Sequence, residues 1–292
     1  MSQSTSVGVV VVNYNSAALV ERSLDRCDFD STVRVVIVDN SDDDLHRHAL
    51  AESAHDKDWV VVDAGGNRGF GSGANSGIST AAQLGCEAVL LLNPDAWILR
   101  DDFATLLATH RQHPTALITP VVRQGDGRIW FDGGVITRSG RAAHASTDSP
   151  DWLSAACLLV PLGSSLPQFW TGYFLYWEDV DFTSRWKRDG GELLVDRRAT
   201  AFHDVGGTQA SAKPGKSTTY VRYSSRNRLV FAARNLGGRT FVWWVLLTPL
   251  FARRMVRVAR DGWARASWAA LVGSASGVIL GMRALALRGG TT

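Results

Sequence analysis

The first 113 residues alternate short apolar runs with segments of helical periodicity, and this alternation constrains the fold more than any other feature. The apolar runs are 7–12, 33–38, 59–62 and 88–92. Continuous apolar runs of this length are typical of strands that are buried on both faces. Strands that alternate with helices indicate βαβ units, so we expect an α/β fold with a mostly parallel central sheet flanked by helices.

The pattern changes twice further along the chain. Residues 117–160 are less regular and rich in glycine, which favours an antiparallel hairpin region. Past about residue 225 the chain has long helical stretches rich in Trp and Arg. Acidic residues become scarce after Asp204, where only Asp261 remains, whereas Lys and Arg continue to Arg288. The carboxyl-terminal third is therefore basic as well as apolar, which favours an anionic surface as its partner.

The composition is that of an ordinary globular protein. Of the 292 residues, 45% are hydrophobic and 20% are charged, and the net charge of +3 is too small to suggest a nucleic-acid partner. The three cysteines are far apart and match neither a zinc-site spacing nor a disulfide framework. The first residues lack a basic segment and a long apolar run, so we expect no secretion signal and a cytoplasmic location.

The apolar run 88–92 stops at the turn Asn93-Pro94-Asp95. Proline cannot continue a sheet ladder, so the strand must end at this turn. A carboxylate at the carboxyl end of a buried strand lies where open α/β sheets bind their ligands. This position suits a divalent cation and the phosphates that the cation carries.

The block 65–75 contains five glycines and two asparagines. Glycine lets backbone N–H groups approach a phosphate closely, and a helix that follows presents its positive end to an anion. Ala74 stands where a G-x-G-x-x-G pattern needs its third glycine, which argues against a dinucleotide-binding fold. A flexible loop is the alternative, although the two asparagines favour a shaped site.

Three carboxylates, Glu178, Asp179 and Asp181, lie within four residues of an aromatic-rich segment. Clustered carboxylates under aromatic side chains tend to include one of raised pKa, which suits a general base. The structural alternative is the first turn of a helix, where acidic side chains are favoured by the helix dipole.

Two single residues, Asp39 and His203, have both a functional and a structural interpretation. Asp39 follows an apolar run and could accept a hydrogen bond from a nucleotide base or ribose, or could cap the next helix. A lone histidine is usually structural, so His203 gains a functional role only if it reaches the cation held at Asp95.

Five blocks in fixed order resemble those of family 2 glycosyltransferases, most closely the bacterial rhamnosyltransferase-like members. In chain order the blocks are Asn13-Tyr14-Asn15, Asp39-Asn40, 66–71, Asn93-Pro94-Asp95 and 177–181. The resemblance spans roughly residues 7–235, and an ordered set of blocks is far more specific than any single one.

The resemblance implies a GT-A nucleotide-diphospho-sugar transferase fold and an inverting transfer of a sugar from a nucleoside diphosphate. Residues 1–230 would then form the catalytic domain, with a nucleotide-sugar-binding half (1–115) and an acceptor half (116–230). Residues 231–292 would form C-terminal amphipathic or apolar helices that associate with a membrane.

The resemblance also implies roles for individual residues. Asp179 matches the family's catalytic base, with Glu178 and Asp181 as alternatives. Asp95 matches the last carboxylate of the D-x-D motif and would bind Mg²⁺ or Mn²⁺, and His203 matches a histidine that can complete the metal site. The donor-binding residues would be Asn13, Tyr14, Asn15, Asp39, Asn40, Asn67, Arg68, Gly69, Asn75, Asn93 and Asp95. The acceptor-site residues would be Trp170, Trp177, Asp181, Arg222 and Arg226.

Two departures from the family pattern limit what is implied. Asn93 replaces the first Asp of D-x-D, so metal binding should depend on the donor diphosphate. Ala155-Ala156-Cys157 stands where relatives often have a glycine-containing stretch, so acceptor specificity is not carried over.

The subgroup favours transfer of L-rhamnose from dTDP-rhamnose onto a polyprenyl-diphosphate-linked or glycan acceptor in cell-envelope polysaccharide synthesis. One alternative is an enzyme of the same fold that uses a UDP-sugar. The other is a catalytically silent scaffold that binds a nucleotide sugar at the membrane.

The C-terminal segment suits the surface of a membrane better than its interior. The apolar run 241–252 is too short to span a bilayer and is interrupted by Pro249, and the uncharged stretch 267–282 is short and glycine-rich. Trp and Arg together suit an interfacial helix on anionic lipid, and we expect peripheral association with the inner face of the cell membrane. A helical cap on the catalytic domain is the alternative. The arginines that follow the apolar run are Arg253, Arg254, Arg257 and Arg260.

Overall fold

The computed structural model describes residues 6–204 and 215–289, which form an α/β structure followed by C-terminal helices. The strands are β1 (Val7–Asn13), β2 (Arg34–Asp39), β3 (Val60–Asp63), β4 (Ala88–Leu92), β5 (Ala96–Ile98), β6 (Leu117–Arg123), β7 (Ile129–Phe131), β8 (Gly134–Ile136), β9 (Ala142–His144), β10 (Cys157–Pro161) and β11 (Leu193–His203). The helices are α1 (Ala17–Cys27), α2 (Asp44–Asp56), α3 (Phe70–Gln83), α4 (Arg100–Gln112), α5 (Glu178–Arg188), α6 (Thr218–Phe231), α7 (Gly238–Leu246), α8 (Thr248–Arg257) and α9 (Trp263–Gly289). A π-helical turn, Ala232–Leu236, joins α6 to α7.

The first half of the chain forms the parallel part of the sheet. Strands β3, β2, β1 and β4 lie side by side in that order, and every pairing among them is parallel. This arrangement confirms the α/β fold with βαβ units. Since parallel strands end at one edge of a sheet, the polar residues that follow β1, β2 and β4 lie along the same edge.

The second half of the sheet is mixed. Strand β10 lies antiparallel between β4 and β6, β11 is parallel to β6, and the short β5 closes the edge antiparallel to β11. The hairpin expected within 117–160 is the small two-stranded sheet of β8 and β9, whereas β6 and β10 belong to the main sheet. The order of the strands brings β5 and the end of β11 together beside the turn that follows β4.

Glycines allow α3 to lie unusually close to β1. A Cβ added at Gly73 would lie 2.7 Å from Cγ1 of Val12, and one added at Gly77 would lie 2.3 Å from Cγ1 of Val10. Real Cβ atoms do not approach other atoms this closely, so part of the glycine-rich sequence is required for packing. Gly85, with φ of 81°, follows the end of α3 in the left-handed conformation that the sequence indicated.

The C-terminal helix α9 is one continuous helix of 27 residues, longer than the uncharged stretch that the sequence suggested. Among the helices in the described part of the chain, α9 alone is long enough and apolar enough to cross a membrane, judged by length and composition only. Glycines on one face of α9 let it lie directly against α6: a Cβ at Gly273 or Gly277 would lie 2.2 or 2.6 Å from the carbonyl oxygens of Arg222 and Arg226. Helix α9 is therefore packed along α6 on its glycine face.

Arg228 joins the C-terminal helices to the rest of the fold. Its side chain is fully buried, and its guanidinium donates to the backbone carbonyls of Gly140 at 3.3 Å and Trp244 at 2.8 Å. It also donates to the hydroxyl of Thr248 at 3.2 Å and lies 4.3 Å from the ring centroid of Phe251. Burial lowers the pKa of this guanidinium to about 10, because the charged form has lost its water.

We expect Arg228→Met to lower the free energy of unfolding by about 2–5 kcal/mol, because it removes three hydrogen bonds of a buried guanidinium, including its bond to the carbonyl of Gly140. Chemical denaturation followed by circular dichroism measures this loss. Arg239→Met is the matched control, since Arg239 is exposed on α7 and should change stability by less than about 0.5 kcal/mol. Equal losses in the two variants would contradict the anchoring role of Arg228.

Candidate active site

Three buried polar side chains meet at the carboxyl ends of β1 and β2. Asn13 and Asp39 lie opposite each other as the last paired residues of the two strands. Nδ2 of Asn13 donates to Oδ1 of Asp39 at 3.1 Å and to Oγ of Ser41 at 3.3 Å. Asp39 also accepts from the N–H of Ser41 at 3.0 Å, so it fixes its own turn. The capping of α2, offered as the alternative role of Asp39, is done by Asp43 instead.

The glycine block is joined to this edge of the sheet by hydrogen bonds. Nδ2 of Asn40 donates to the carbonyl of Gly69 at 3.1 Å. The exposed side chain of Asp42 accepts from the N–H of Asn67 at 3.0 Å and from the hydroxyl of Tyr14 at 3.3 Å. The predicted donor-binding residues of the first three blocks are therefore neighbours, with Arg68 exposed beside them.

Two of these side chains have a buried oxygen without a hydrogen-bond partner in the described part of the chain. These atoms are Oδ1 of Asn15 and Oδ1 of Asn40. Asn15 is held in the left-handed region, with φ of 50°, by its N–H bond to Oγ of Ser41 at 3.0 Å. A buried acceptor left without a donor costs about 1–3 kcal/mol, so this edge suits a ligand with N–H or O–H groups.

Gly69 and Gly71 bring the glycine block directly against the segment that precedes α5. A Cβ added at Gly69, which has φ of 82°, would lie 2.2 Å from the carbonyl oxygen of Phe174. A Cβ added at Gly71 would lie 3.1 Å from Cβ of Phe169 and 3.8 Å from Cβ of Glu178. Only glycine fits at position 69, because both its backbone conformation and its surroundings exclude a side chain.

A strained turn positions the acidic residues at the start of α5. Tyr176 and Trp177 are consecutive non-glycine residues with positive φ, 66° and 75°. Each such residue costs about 1–3 kcal/mol and persists only where the surroundings stabilise it. Asn227 of α6 provides this stabilisation, since its Nδ2 donates to the carbonyls of Leu175 at 2.9 Å and Tyr176 at 2.8 Å.

Glu178 is buried and Asp179 is partly buried, and their carboxyl groups are neighbours in the first turn of α5. Burial raises the pKa of Asp179 above its ordinary value. The pKa of Glu178 is raised further, first by burial and then by the charge of Asp179. Of the two carboxyl groups, Asp179 therefore loses its proton at the lower pH, and the positive end of α5 favours its charged form. Oε2 of Glu178 is buried and has no hydrogen-bond partner among the described residues.

A two-residue segment before β10 lies between Asp179 and the turn that follows β4. The backbone of Ala155 hydrogen-bonds to the carboxyl of Asp179, and this bond opposes the effect of burial on its pKa. The carbonyl of the next residue, Ala156, accepts from the N–H of Asn93 at 3.0 Å. Asp179 and the Asn93-Pro94-Asp95 turn therefore lie on either side of one short segment rather than in separate parts of the fold.

The side chain of His203 lies beside that of Asp95, which was the condition set for a functional role of His203. Pairing of β5 with β11 places the two residues together, and Nε2 of His203 lies 3.0 Å from Oδ1 of Asp95. Nδ2 of Asn93 lies 3.5 Å from the same ring nitrogen. Asp95 and His203 are both buried, and the ring of Trp130 packs edge-on against the imidazole at 4.6 Å.

The side chains at this turn fit a divalent cation that takes most of its ligands from another molecule. Asp95 offers a carboxylate and His203 an imidazole nitrogen, which are both ligands for Mg²⁺ or Mn²⁺ sites. Within residues 6–204 and 215–289, no group of three or more His, Cys, Asp and Glu side chains is placed to hold a metal. The arrangement therefore suits a cation that is bound together with a diphosphate, and not a closed structural metal site.

Asp181 is not available as a base or as an acceptor contact. Its side chain is completely buried, and it accepts from Nε of Arg185 at 2.8 Å and from Nδ2 of Asn235 at 2.7 Å. The hydroxyl of Tyr173 lies 3.4 Å away. Asp181 follows Glu178 by three residues, so the two side chains lie on the same face of α5. Because this face packs against the core, Asp181 is buried.

Several other predicted residues have structural contacts that the sequence did not reveal. Trp177 is buried against Phe231 at 5.3 Å between ring centroids, so it is not exposed to an acceptor. Arg226 donates through both terminal nitrogens to the carbonyl of Gly172 at 3.1 Å and holds the loop before α5.

Three more predicted residues have contacts or positions that the sequence did not reveal: Asn75, Trp170 and Arg222. The amide of Asn75 donates to and accepts from the backbone of Phe169, at 2.9 and 2.8 Å. Trp170 lies beneath the guanidinium of Arg234 at 3.8 Å, and Arg222 is exposed on α6.

Three residues with contacts in the site were not assigned a role from the sequence, and a fourth, Asn227, was noted only because it follows Arg226 in a stretch that resembles the acceptor region of family 2 glycosyltransferases. Ser41 and Asp42 organise the donor edge, Asn227 holds the strained turn, and Trp130 packs on His203. Ser41 and Asp42 directly follow Asp39-Asn40, so a polar run after a buried strand was a usable signal. Trp130 had no such signal, and the resemblance did not reveal the contact of Asn227 with the turn, because the partners of both residues are distant in sequence.

The fold and the blocks agree with known glycosyltransferases. The sequence model of Glycosyl transferase family 2 matches residues 8–152. The low-salt glycan biosynthesis hexosyltransferase Agl10 of Haloferax volcanii is 25% identical over 212 residues, which cover 68% of this chain and 67% of that protein.

Two solved structures share the architecture. The mannosyltransferase PcManGT from Pyrobaculum calidifontis, in complex with GDP-Man and Mn²⁺, matches with a TM-score of 0.56 and 16% identity over 98% of this chain and 79% of its own. GalNAc-T7 with UDP, GalNAc and Mn²⁺ matches with a TM-score of 0.61 and 14% identity over 80% of this chain. This chain spans about half the length of GalNAc-T7, since 48% of that chain is covered. These structural matches show that the chain has a GT-A fold, and its first half matches the sequence model of Glycosyl transferase family 2.

Proposed function

We propose that this glycosyltransferase is a metal-dependent, inverting enzyme that transfers a sugar from a nucleoside diphosphate to a lipid-linked or glycan acceptor. The observation that carries the proposal is the convergence of the five sequence blocks. The Asp95–His203 pair and Asp179 lie on either side of Ala155 and Ala156, at the edge where the nucleotide-binding residues meet. This separation suits a donor whose diphosphate lies at Asp95 and whose sugar faces Asp179.

On the donor side, Asn15 and Asn40 offer buried acceptor oxygens to the nucleoside, next to Asp39. Asp95 and His203 would hold the cation, with Asn93 beside them. A bound Mg²⁺ or Mn²⁺ offsets, as a Lewis acid, the negative charge that accumulates on the departing diphosphate. Since only one protein carboxylate lies at this turn, donor and cation should bind together.

On the acceptor side, Asp179 removes the proton from the attacking hydroxyl. A sugar hydroxyl is a poor nucleophile at neutral pH, and a positioned base typically accelerates attack by about 10²–10⁴-fold. Glu178 loses its proton at a higher pH than Asp179, so Asp179 is the first of the two to carry the charge. A single displacement by an acceptor on the face opposite the diphosphate inverts the anomeric carbon.

The relatives support a nucleotide-sugar donor and a divalent cation, because PcManGT was crystallised with GDP-Man and Mn²⁺ and GalNAc-T7 with UDP and Mn²⁺. Within this class, the resemblance of the blocks to rhamnosyltransferase-like members favours dTDP-rhamnose as the donor. A UDP-sugar is the second candidate. Synthesis of a cell-envelope glycan on a polyprenyl-diphosphate carrier accords with the role in glycan biosynthesis that the name of Agl10 gives.

We also propose that the enzyme associates peripherally with the cytoplasmic face of the cell membrane. The face of α9 that points away from α6 carries exposed apolar side chains, here called the apolar face of α9: Trp268, Leu271, Ile279 and Met282. Exposed arginines on α8 provide attraction to anionic lipid. Because the opposite face of α9 packs on α6, the helix can lie along a membrane surface without leaving the protein.

Asp179→Asn should lower kcat by about 10²–10⁴-fold while donor binding, measured by calorimetry with Mn²⁺, is unchanged. In the native enzyme a base must be ionised, so kcat/KM should fall about tenfold per pH unit below the raised pKa of Asp179, which is about 6. Above that pH the carboxylate is ionised and the rate should level off.

Glu178→Gln is the matched control for the base. Glu178 keeps its proton to a higher pH than Asp179, so the amide should keep transfer within about tenfold and leave the acidic limb of the pH profile in place. Full activity in Asp179→Asn, or loss of the acidic limb in Glu178→Gln, would assign the base to Glu178 instead.

Asp95→Asn should abolish Mn²⁺-dependent donor binding, because it removes the one carboxylate at the turn that follows β4. Calorimetric titration of the nucleoside diphosphate with and without Mn²⁺ measures the dependence. Asp42→Asn is the control, since Asp42 contacts the glycine block but not the Asp95–His203 pair. An unchanged Mn²⁺ dependence in Asp95→Asn would contradict the assignment.

The triple variant Trp268→Ser, Leu271→Ser and Ile279→Ser should lose most binding to vesicles containing phosphatidylglycerol, because burial of these side chains in lipid contributes about 1.5–3 kcal/mol each. Co-sedimentation measures this binding. Stability should change little, since all three side chains are at least half exposed in the protein.

The control variant Leu45→Ser and Ile129→Ser removes two side chains that are also exposed but lie outside the C-terminal helices. It should bind vesicles as the native protein does. Undiminished sedimentation of the triple variant would show that the apolar face of α9 is not the membrane contact.

A further inference from the structure

A second cavity, separate from the candidate active site, lies between the end of α5, the π-helical turn and the end of α9. It is a cleft of about 510 Å³, and Asp95, Asp179 and His203 do not line it. Its polar lining is formed by Arg185, Arg188, Arg234 and Arg283, with Asn235 beside them.

Two of the arginines, Arg234 and Arg185, are held in place by neighbours that do not use all of their N–H donors. The guanidinium of Arg234 lies over the indole of Trp170, 3.8 Å from the ring centroid. Its Nε is buried without a hydrogen-bond partner among the described residues. Arg185 donates from Nε to Asp181 at 2.8 Å and from one terminal nitrogen to the carbonyl of Gln168 at 2.9 Å. Each guanidinium has five N–H donors, so both retain donors for a ligand.

The cleft has an excess of positive charge. Asp181 lies buried beneath Arg185 and Arg234, within 4 Å of both, and neutralises one charge. Arg188 pairs with the exposed Asp189 at 3.0 Å. Four arginines against two carboxylates leave two positive charges unbalanced. None of the lining residues that the structure describes is acidic.

Arg283, an exposed arginine of the cleft, belongs to α9. It has no ion pair or hydrogen bond with any residue that the structure describes. Arg234 belongs to the π-helical turn, an element that occurs frequently at functional sites. A continued α-helix would rotate Arg234 and Asn235 about the axis, so the π-turn contributes to gathering the arginines.

The remaining wall of the cleft is apolar. It is formed on α9 by Leu280, Ala284 and Leu287, opposite Trp170. Leu287 is 76% exposed and lies on the same helix as the apolar face of α9. A free phosphate would use only the arginines, whereas a phosphate attached to a hydrocarbon chain would use the arginines and the apolar wall together.

We propose that this cleft binds the phosphate or diphosphate head group of a lipid. Guanidinium groups bind phosphate oxygens with paired, charge-assisted hydrogen bonds, and the chain of the lipid would leave along α9 toward the membrane. The head group could belong to a prenyl-diphosphate carrier or to an anionic membrane lipid. The inference rests on the proposed function only for the first of these sources.

The test is calorimetric titration of the full-length protein, in EDTA to exclude metal-dependent binding, with two soluble amphiphiles. Geranyl diphosphate represents the prenyl carrier and dihexanoyl phosphatidic acid represents the membrane lipid. We expect at least one of them to bind, and the tighter of the two to identify the source. The double variant Arg188→Gln and Arg283→Gln should weaken this binding by about tenfold or more, since it removes two charged donors without touching buried Asp181.

Arg265→Gln is the control. Arg265 is exposed at the other end of the same helix, so this substitution removes one positive charge outside the cleft. It should bind both amphiphiles as the native protein does. The proposal is overturned if the native protein binds neither amphiphile, or if the control weakens binding as much as the double variant. Binding of nucleoside diphosphate with Mn²⁺, measured on the same proteins in buffer without EDTA, should persist in the double variant, and its absence in the native protein would count against the proposed function alone.

Discussion

The turn at Tyr176 and Trp177 is the constraint on which the candidate active site depends. Two bulky residues in the left-handed region would not hold this conformation by themselves. The amide of Asn227 stabilises it from α6, and the carbonyl of Phe174 packs on Gly69 from the other side. The turn therefore fixes Glu178 and Asp179 relative to the nucleotide edge, and its strain is balanced by neighbours rather than by its own sequence.

Helix α6 connects this turn to the C-terminal helices. Arg226 and Asn227 hold the loop before α5, while the backbone of α6 receives the glycine face of α9. Arg228, one residue further on, connects α6 to α7 and α8. The helices that we propose to lie on the membrane are therefore packed on the same element that holds the turn before α5.

Much of the fold could be predicted because its signals are local. Apolar runs gave the parallel strands, and the polar residues at their ends gave Asn13, Asp39 and Asp95 as neighbours at one edge. The acidic block was harder, since spacing alone placed Asp181 beside Glu178 without revealing the arginines that bury it. The glycine block was attributed to ligand binding, yet Gly73 and Gly77 serve the packing of α3 on β1. Composition cannot separate these two uses of glycine.

The amino-acid sequence by itself determined the α/β class, the polar edge of the parallel sheet, and the basic, apolar character of the C-terminal segment. These properties follow from hydrophobic periodicity and from residue types at strand ends, which are encoded over a few neighbouring positions. The tertiary structure decided which carboxylate is free and which is neutralised, which arginines gather in a cleft, and which face of α9 stays exposed. Each of these depends on contacts between residues distant in sequence, and burial and charge pairing at such contacts cannot be deduced from local pattern.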